Sequence, residues 1–207
     1  MTLVDRQELD EGQALRAMFV ARKEVFVDLL GWDVPVLDGR FELDQFDDIH
    51  ARYLILLDRQ GRHKASARLL PTTRPHILDT LFPRLSQGDI PRGGSVWEIT
   101  RFCLDRNQNA SARLAARNRL VSALADHALD HGITRYTGVA ELPWLKQIMR
   151  FGWRCQTLGL PHIHEGRRLS GLVIDIDADT IPRMRDAGIY GPASEAPILT
   201  LAPLEAA

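Results

Sequence analysis

Between residues 12 and 30 the apolar side chains Leu15, Met18, Phe19, Val25, Phe26 and Leu29 recur at helical spacing, and Gly31 supplies a stop. Arg22 falls on the same stripe, four residues from both Met18 and Phe26. It either snorkels at the edge of that stripe or aims a cation into a cleft. Over residues 31–50 the periodicity dissolves. This stretch sets Trp32, Phe41 and Phe46 among Glu42, Asp44, Asp47 and Asp48, a mixture that predicts a folded-over binding segment rather than a linker. Glu42 and Asp48 are expected to be solvated. Strand-like runs at 53–57 and 64–70, around Asp58, Arg59, Gln60 and Gly61, predict a β-hairpin. Residues 75–94 read as an irregular excursion with a short helix within 78–85. A strand over 96–104 follows, then a helix over 111–131 whose apolar face is Leu114, Val121, Leu124, Ala125 and Ala128, stopped by Gly132. A strand at 136–140, a helix at 144–151 before Gly152, a strand at 169–176 and a short helix after Thr180 complete the order. That order fits an α/β (α+β) fold, a mostly antiparallel sheet flanked by helices in a single domain over 1–191. The Ala- and Pro-rich residues 192–207 are expected to form a loosely held tail.

The strand at 96–104 carries the strongest chemical signal. It places Glu98 and Arg101 inside a run that suits a half-buried pleated surface, where an unpaired charge is costly. Three residues apart in a regular strand, the two would point to opposite faces. A β-bulge between them would put both on one face, and bulges occur often beside active sites. The plainer alternative is a charged strand end with a structural ion pair.

Composition narrows the function classes. The chain of 207 residues has a formal net charge of −1, which gives no reason to expect a nucleic-acid partner. No apolar run approaches the roughly 20 residues that span a bilayer, and the charged N-terminus lacks a signal-peptide apolar region. Cys103 and Cys155 are the only cysteines, too few for a disulfide framework. The expected address is cytoplasmic. Phosphate-loop, dinucleotide-fold and zinc-protease signatures are absent. His162 and His164 alternate in a segment read as a solvated loop, so no metal site is expected.

The charged and aromatic residues then form an ordered series. It runs Arg22-x-x-x-Phe26-x-x-x-x-x-Trp32, Glu42-x-Asp44-x-Phe46-Asp47, Ser66-Ala67-Arg68-Leu69, Phe82, and Trp97-Glu98-Ile99-Thr100-Arg101-Phe102. In order and spacing this resembles the acyl-homoserine-lactone synthases of the LuxI type, over roughly residues 15–176. The resemblance implies a fold like that of the GNAT acetyltransferases. It also implies a reaction: an acyl group passes from acyl-carrier protein, or from acyl-coenzyme A as in some synthases of this type, to the amino group of S-adenosylmethionine, the product lactonises, and methylthioadenosine leaves. No cofactor is implied, S-adenosylmethionine being a substrate. Physical chemistry distributes the roles. Asp44, Asp47 and Glu98 can meet the cationic parts of S-adenosylmethionine, and Arg22, Arg68 or Arg101 its carboxylate. Phe26 and Trp32 can lie against its sulfonium or adenine. Glu98, directly or through water, is the candidate base, and backbone N–H groups at Arg101 and Phe102 the candidate oxyanion donors. One of Arg68 and Asp47 is expected to be a structural partner only. Phe82, Thr100, Gly138, Ala140, Trp144 and Met149 are expected to wall the acyl pocket. Lys146, Arg150 and Arg154 form a basic edge that could dock the carrier protein.

Two rival functions fit the same sequence. One is a GNAT-type N-acyltransferase using acyl-coenzyme A and another amine, although the usual pyrophosphate loop is not visible between residues 106 and 117. The other is a ligand sensor without turnover, which would have no need of a base at Glu98.

Overall fold

The computed structural model describes residues 11–191 and 198–202. Its first helix, α1 (Glu11–Arg22), carries an acidic residue in the first turn and a basic one in the last, matching the helix dipole. It runs directly into a π-helical stretch, Lys23–Leu29, and ends at Gly31 with φ 64°. The expected single rod therefore has two pitches. Wider π turns recur at functional sites, and here Val25 and Phe26 are buried beside Ala21 and Cys103.

The segment expected to fold over as a binding segment contains a small hairpin. Strands β1 (Val36–Leu37) and β2 (Phe41–Glu42) pair antiparallel around Asp38 and Gly39, with φ 50° and 65°. Asp-Gly is a strong signal for a turn of this kind. Strands of two residues are too short for alternation to reveal them.

The main sheet is built from β3 (Arg52–Leu57), β4 (His63–Pro71), β5 (Val96–Leu104), β6 (Arg135–Glu141), β7 (Arg154–Thr157), β8 (His162–His164), β9 (Arg167–Asp175) and β10 (Ile198–Leu201). Its order is β10-β3-β4-β5-β6-β9-β7, with β8 also paired to β9. Every pairing is antiparallel except β5 with β6, which is parallel. Two corrections follow. Strand β8 holds the histidines placed in a loop, and β10 lies within the supposed loose tail. Its residues Ile198 to Leu201 pair with Leu56 to Tyr53, so backbone pairing, invisible to composition, holds them. The rest of 192–207, apart from Ala202, lies outside the described residues.

Alternation along β3 and β4 sorts the core into two layers. Tyr53, Ile55, Leu57 and Leu70 pack with Ala14, Leu15 and Met18 of α1. Leu54, Leu56, Ala65, Ala67 and Leu69 pack against the long helix α3 (Ala110–Asp130), chiefly through Leu120, Val121, Leu124 and Ala128. Leu114, expected on that face, is half exposed instead. Helix α3 is capped by Asn109, whose side chain accepts from the Ala112 N–H at 2.9 Å. The short helices are α2 (Ile77–Thr80), α4 (Leu142–Ile148) and α5 (Thr180–Asp186), with a 3₁₀ turn at Pro83–Leu85. Helix α4 starts two residues earlier than expected because Pro143 suits a first turn.

Two features of the sheet shape the site. Against β4, Ser66 pairs with Cys103 and Arg68 with Thr100, so the single residue Ala67 opposes both Arg101 and Phe102. This is a β-bulge, and Arg101 adopts φ 49° within it. It lies just beyond the expected interval between Glu98 and Arg101, with the expected effect. Glu98, Thr100 and Arg101 all turn towards the α1 side. On its other edge β5 pairs with β6 only from Val96 with Arg135 to Glu98 with Thr137. Beyond that the strands diverge and leave a V-shaped gap.

Candidate active site

Six charged side chains meet on the α1 side of the sheet. Arg22 donates from Nε to Glu42 Oε2 at 2.5 Å and from its two terminal nitrogens to Asp47 at 2.8 and 2.9 Å. Arg68 grips Asp44 at 2.6 and 3.0 Å, lies 2.9 Å from Asp47, and donates from Nε to Thr100 Oγ1 at 2.9 Å. Arg101 reaches Glu42 at 2.9 Å and Asp44 at 2.7 Å. The Tyr53 hydroxyl donates to Asp47 at 2.8 Å. Three guanidiniums thus face three carboxylates, and the cluster is neutral as a whole. Such closure is what makes burial of these charges tolerable. Glu42, expected to be solvated, is fully buried at its centre. The series Glu42-x-Asp44-x-Phe46-Asp47 set Glu42 beside the other two carboxylates, and that was the available signal for it.

The charge states follow from this pairing. Burial pushes the Asp47 carboxyl up, but the hydrogen bonds and charge of Arg22, with Arg68, outweigh it and hold it well below the usual range. Burial likewise opposes the charge on Arg22, and Asp47 and Glu42 more than restore it. Asp44 is held low against burial by Arg68 and Arg101.

Glu98 is in a different situation. It is fully buried on the same face, and its two oxygens accept the backbone N–H groups of Ile77 and Leu78 at 2.7 and 2.8 Å. It thereby anchors the start of α2. Burial pushes its carboxyl up to about 8, with those two hydrogen bonds pulling the other way.

The gap between β5 and β6 encloses a cavity of about 350 Å³. At its vertex the strands nearly touch: a Cβ on Gly138 would lie 3.1 Å from the Ile99 carbonyl oxygen. The rim is formed by Phe26, Trp32, Arg101 and Glu141. Phe26 and Trp32 stack with centroids 4.7 Å apart, and the Arg101 guanidinium lies 5.7 and 5.9 Å from the two rings. Arg101 spends Nε and Nη2 on carboxylates, and no bond to a described residue holds Nη1. The far wall is apolar, with Leu124, Ile148, Phe151, Trp153, Leu172 and Ile174. Its aromatics are fixed, Trp153 donating from Nε1 to the Ile148 carbonyl at 2.9 Å and Phe102 packing 5.0 Å from Trp144.

Of the residues expected at the site, Phe26, Trp32, Thr100, Arg101, Phe102, Gly138, Ala140 and Trp144 line this cavity. Arg22, Asp44, Asp47, Arg68 and Glu98 stand behind its wall. Phe82 and Met149 correct the expectation. Phe82 lies in a second cavity, edge-on to His164 at 5.1 Å, because the 3₁₀ turn carries it past the sheet. Met149 points to solvent at the end of α4. Lys146 and Arg150 are exposed on and just after α4, and Arg154 is exposed on β7, 3.2 Å from Asp177. Among the described residues, two buried side-chain polar atoms of the cavity lining, Trp32 Nε1 and Thr137 Oγ1, have no hydrogen-bond partner.

The family model for autoinducer synthases matches residues 6–184. The chain belongs to this family. It is 36% identical over 181 residues to an acyl-homoserine-lactone synthase of Ralstonia nicotianae, covering 83% of this chain and 88% of that relative. Among solved structures it resembles BjaI, described as a CoA-dependent acyl-homoserine lactone synthase with SAM and isopentyl-CoA. The TM-score is 0.80 and the identity 29%, over 88% of this chain and 85% of that one. It also resembles TofI in a ternary complex with an inhibitor and MTA, with TM-score 0.73 and 30% identity, over 86% and 94% of the two chains. The fold is the GNAT-like arrangement expected, and the enzyme class is that of an acyltransferase making acyl-homoserine lactones. Among the described residues no helix is long and apolar enough to cross a membrane.

Proposed function

We propose that the cavity between β5 and β6 is where an acyl thioester meets the amino group of S-adenosylmethionine. The carrying observation is the cavity's division into a rim with one partly committed guanidinium beside two stacked aromatics, and an apolar far wall. The rim suits the carboxylate and sulfonium of S-adenosylmethionine, with Arg101 Nη1 directed to the carboxylate and Phe26 and Trp32 near the cationic sulfur. The far wall suits a hydrocarbon chain. In this scheme Arg22, Asp44, Asp47 and Arg68 act through position: they fix the Arg101 guanidinium and the bulge. Glu98 stands one register step from the vertex and receives the amine's proton through water. A carboxyl whose proton affinity is raised by burial is the base such a transfer needs near neutral pH. Attack on the thioester carbonyl forms the amide as the carbon–sulfur bond breaks and the donor's thiol leaves with a proton. The carboxylate oxygen then attacks the carbon bonded to the sulfonium, which closes the ring and expels methylthioadenosine.

Acyl-carrier protein is the donor we propose, and Lys146 and Arg150 the edge it meets. The BjaI complex makes acyl-coenzyme A the competing donor. Purified protein with S-adenosylmethionine should release a lactone and methylthioadenosine, detected by mass spectrometry, with a higher kcat/KM for acyl-carrier protein than for the matching coenzyme A thioester. Equal or better turnover of the coenzyme A thioester would overturn the donor assignment. Absence of lactone with every donor would overturn the reaction.

A further inference from the structure

Arg167 crosses the mouth of the cavity. It is the first residue of β9, placed by a tight turn in which Glu165 and Gly166 take φ 47° and 76° and His164 pairs with Arg167. Two positions on, Leu169 pairs with Glu141, the last residue of β6. Arg167 is therefore the diagonal neighbour of Glu141 on one face of the sheet, within reach for a long side chain. Its Nη1 donates to Glu141 Oε1 at 2.7 Å, and its Nη2 donates to the Leu30 carbonyl. Leu30 and Glu141 both line the cavity. Leu30 ends the turn that carries the stacked Phe26 and Trp32, and Glu141 is the residue from which α4 starts, with Trp144 and Gln147 on the cavity wall.

Within that turn the N–H groups of Leu30, Gly31 and Trp32 bond back to the carbonyls of Val25, Val27 and Phe26 at 2.9, 3.0 and 2.8 Å, so the turn holds its own shape. None of these bonds fixes it against the opposite side of the mouth. Among the described residues, Arg167 makes the one hydrogen bond from residues 23–32 to β6, α4 or β9. The carbonyl it takes ends a helical segment, where C=O groups lack partners and a cation is favoured. With side chains 30% and 32% exposed, Arg167 and Glu141 form a rim pair, and such pairs contribute little to folding. A contact that neither builds the core nor shapes the turn acts on the position of the rim. We propose that Arg167 is a positioning residue for S-adenosylmethionine: it ties the Leu30 carbonyl to Glu141 and so holds the Phe26–Trp32 stack at the mouth of the cavity. An aromatic face attracts a cation only at close range, so a stack free to swing away loses the sulfonium. The acyl chain lies against the far wall, which Arg167 does not touch. This assignment rests on the reading of the rim proposed above.

Arg167→Met keeps the stem and removes every donor; Arg167→Lys keeps the charge and a donor. Hydrogen bonds from a charged group are lost in the first, so the Kd of S-adenosylmethionine, measured by calorimetry without acyl donor, should rise about tenfold. KM for S-adenosylmethionine should rise in parallel with kcat at saturation within about twofold of wild type, the pattern of lost ground-state binding. A lysine ammonium can still reach one of the two acceptors, so Arg167→Lys should bind more tightly than Arg167→Met. KM for the acyl donor and the melting temperature should stay at their wild-type values in both. Action through the stack is tested in a Trp32→Ala background, where Arg167→Met should weaken binding no further. Wild-type affinity in Arg167→Met overturns the proposal, as does the same loss in the Trp32→Ala background. A fall in kcat together with the melting temperature also overturns it, marking Arg167 as a structural residue. Failure of the rim reading would appear separately, as absence of S-adenosylmethionine binding to wild type.

Discussion

Glu42 ties two arginines that approach from different elements, Arg22 from α1 and Arg101 from the bulge. Removing its charge leaves two buried guanidiniums sharing too few anions. Breaking a buried pair by deleting one partner costs about 3–5 kcal/mol. Glu42→Gln should therefore lower the urea midpoint by a corresponding amount and weaken S-adenosylmethionine binding as Arg101 shifts. Wild-type stability in that variant would show the neutral amide to be sufficient. Glu98 makes a different prediction. If it accepts the amine's proton, wild-type turnover should climb with pH through about 8 as the carboxyl ionises. Glu98→Gln should cut kcat by on the order of 10²–10⁴ and abolish that limb, leaving KM for S-adenosylmethionine little changed. A pH profile identical in the two proteins would rule out the base role. The stability contributions of these groups run in opposite directions. The folded pKa of Glu98 lies above its ordinary value of 4.5, so its contribution to stability falls as pH rises from there towards 8. Asp47, held low, contributes above the ordinary carboxylate range and loses that contribution as pH falls.

At the level of elements, the bulge in β5 and the short parallel ladder to β6 together create the cavity. The extra residue turns Arg101 to the same face as Thr100 and carries β5 away from β6 after Glu98. The charge pattern Glu98-Ile99-Thr100-Arg101 made the bulge legible, because two charges three apart in a strand conflict with a single buried face. The helices and the central strands were legible for a similar reason: each repeats its apolar positions at one period over many residues. What stayed hidden was non-local. Strands β1, β2, β8 and β10 are two to four residues long and owe their conformation to partners elsewhere in the chain. The burial of Glu42 and the isolation of the Thr137 hydroxyl likewise depend on what other segments bring or fail to bring. The residue type of Phe82 suited a pocket wall, but the turn that carries it faces a different cavity.

Across the whole molecule, the six-membered ion cluster cancels its own charge, and the chain carries a formal net charge of only −1. Long-range attraction for an acidic partner therefore has to come from local surface groups. Lys146 and Arg150 are exposed on the α4 segment, whose Trp144 and Gln147 line the cavity. Charge reversal of both to Glu should raise KM for acyl-carrier protein about tenfold at low salt, less at high salt, and leave KM for S-adenosylmethionine unchanged. Kinetics insensitive to both the reversal and ionic strength would remove this edge as the docking site. Arg154, already beside Asp177, should contribute less.

Strand β10 closes the sheet edge at β3, joining segments far apart in the sequence. Pairings of such long separation form late, after the entropy of a large loop has been overcome. Until Ile198–Leu201 docks, the apolar run of β3 presents bare backbone to its surroundings, and a neighbouring chain can supply the missing strand instead. The speed of that last pairing thus sets how crowded a pool of newly made chains can be before folding gives way to clumping.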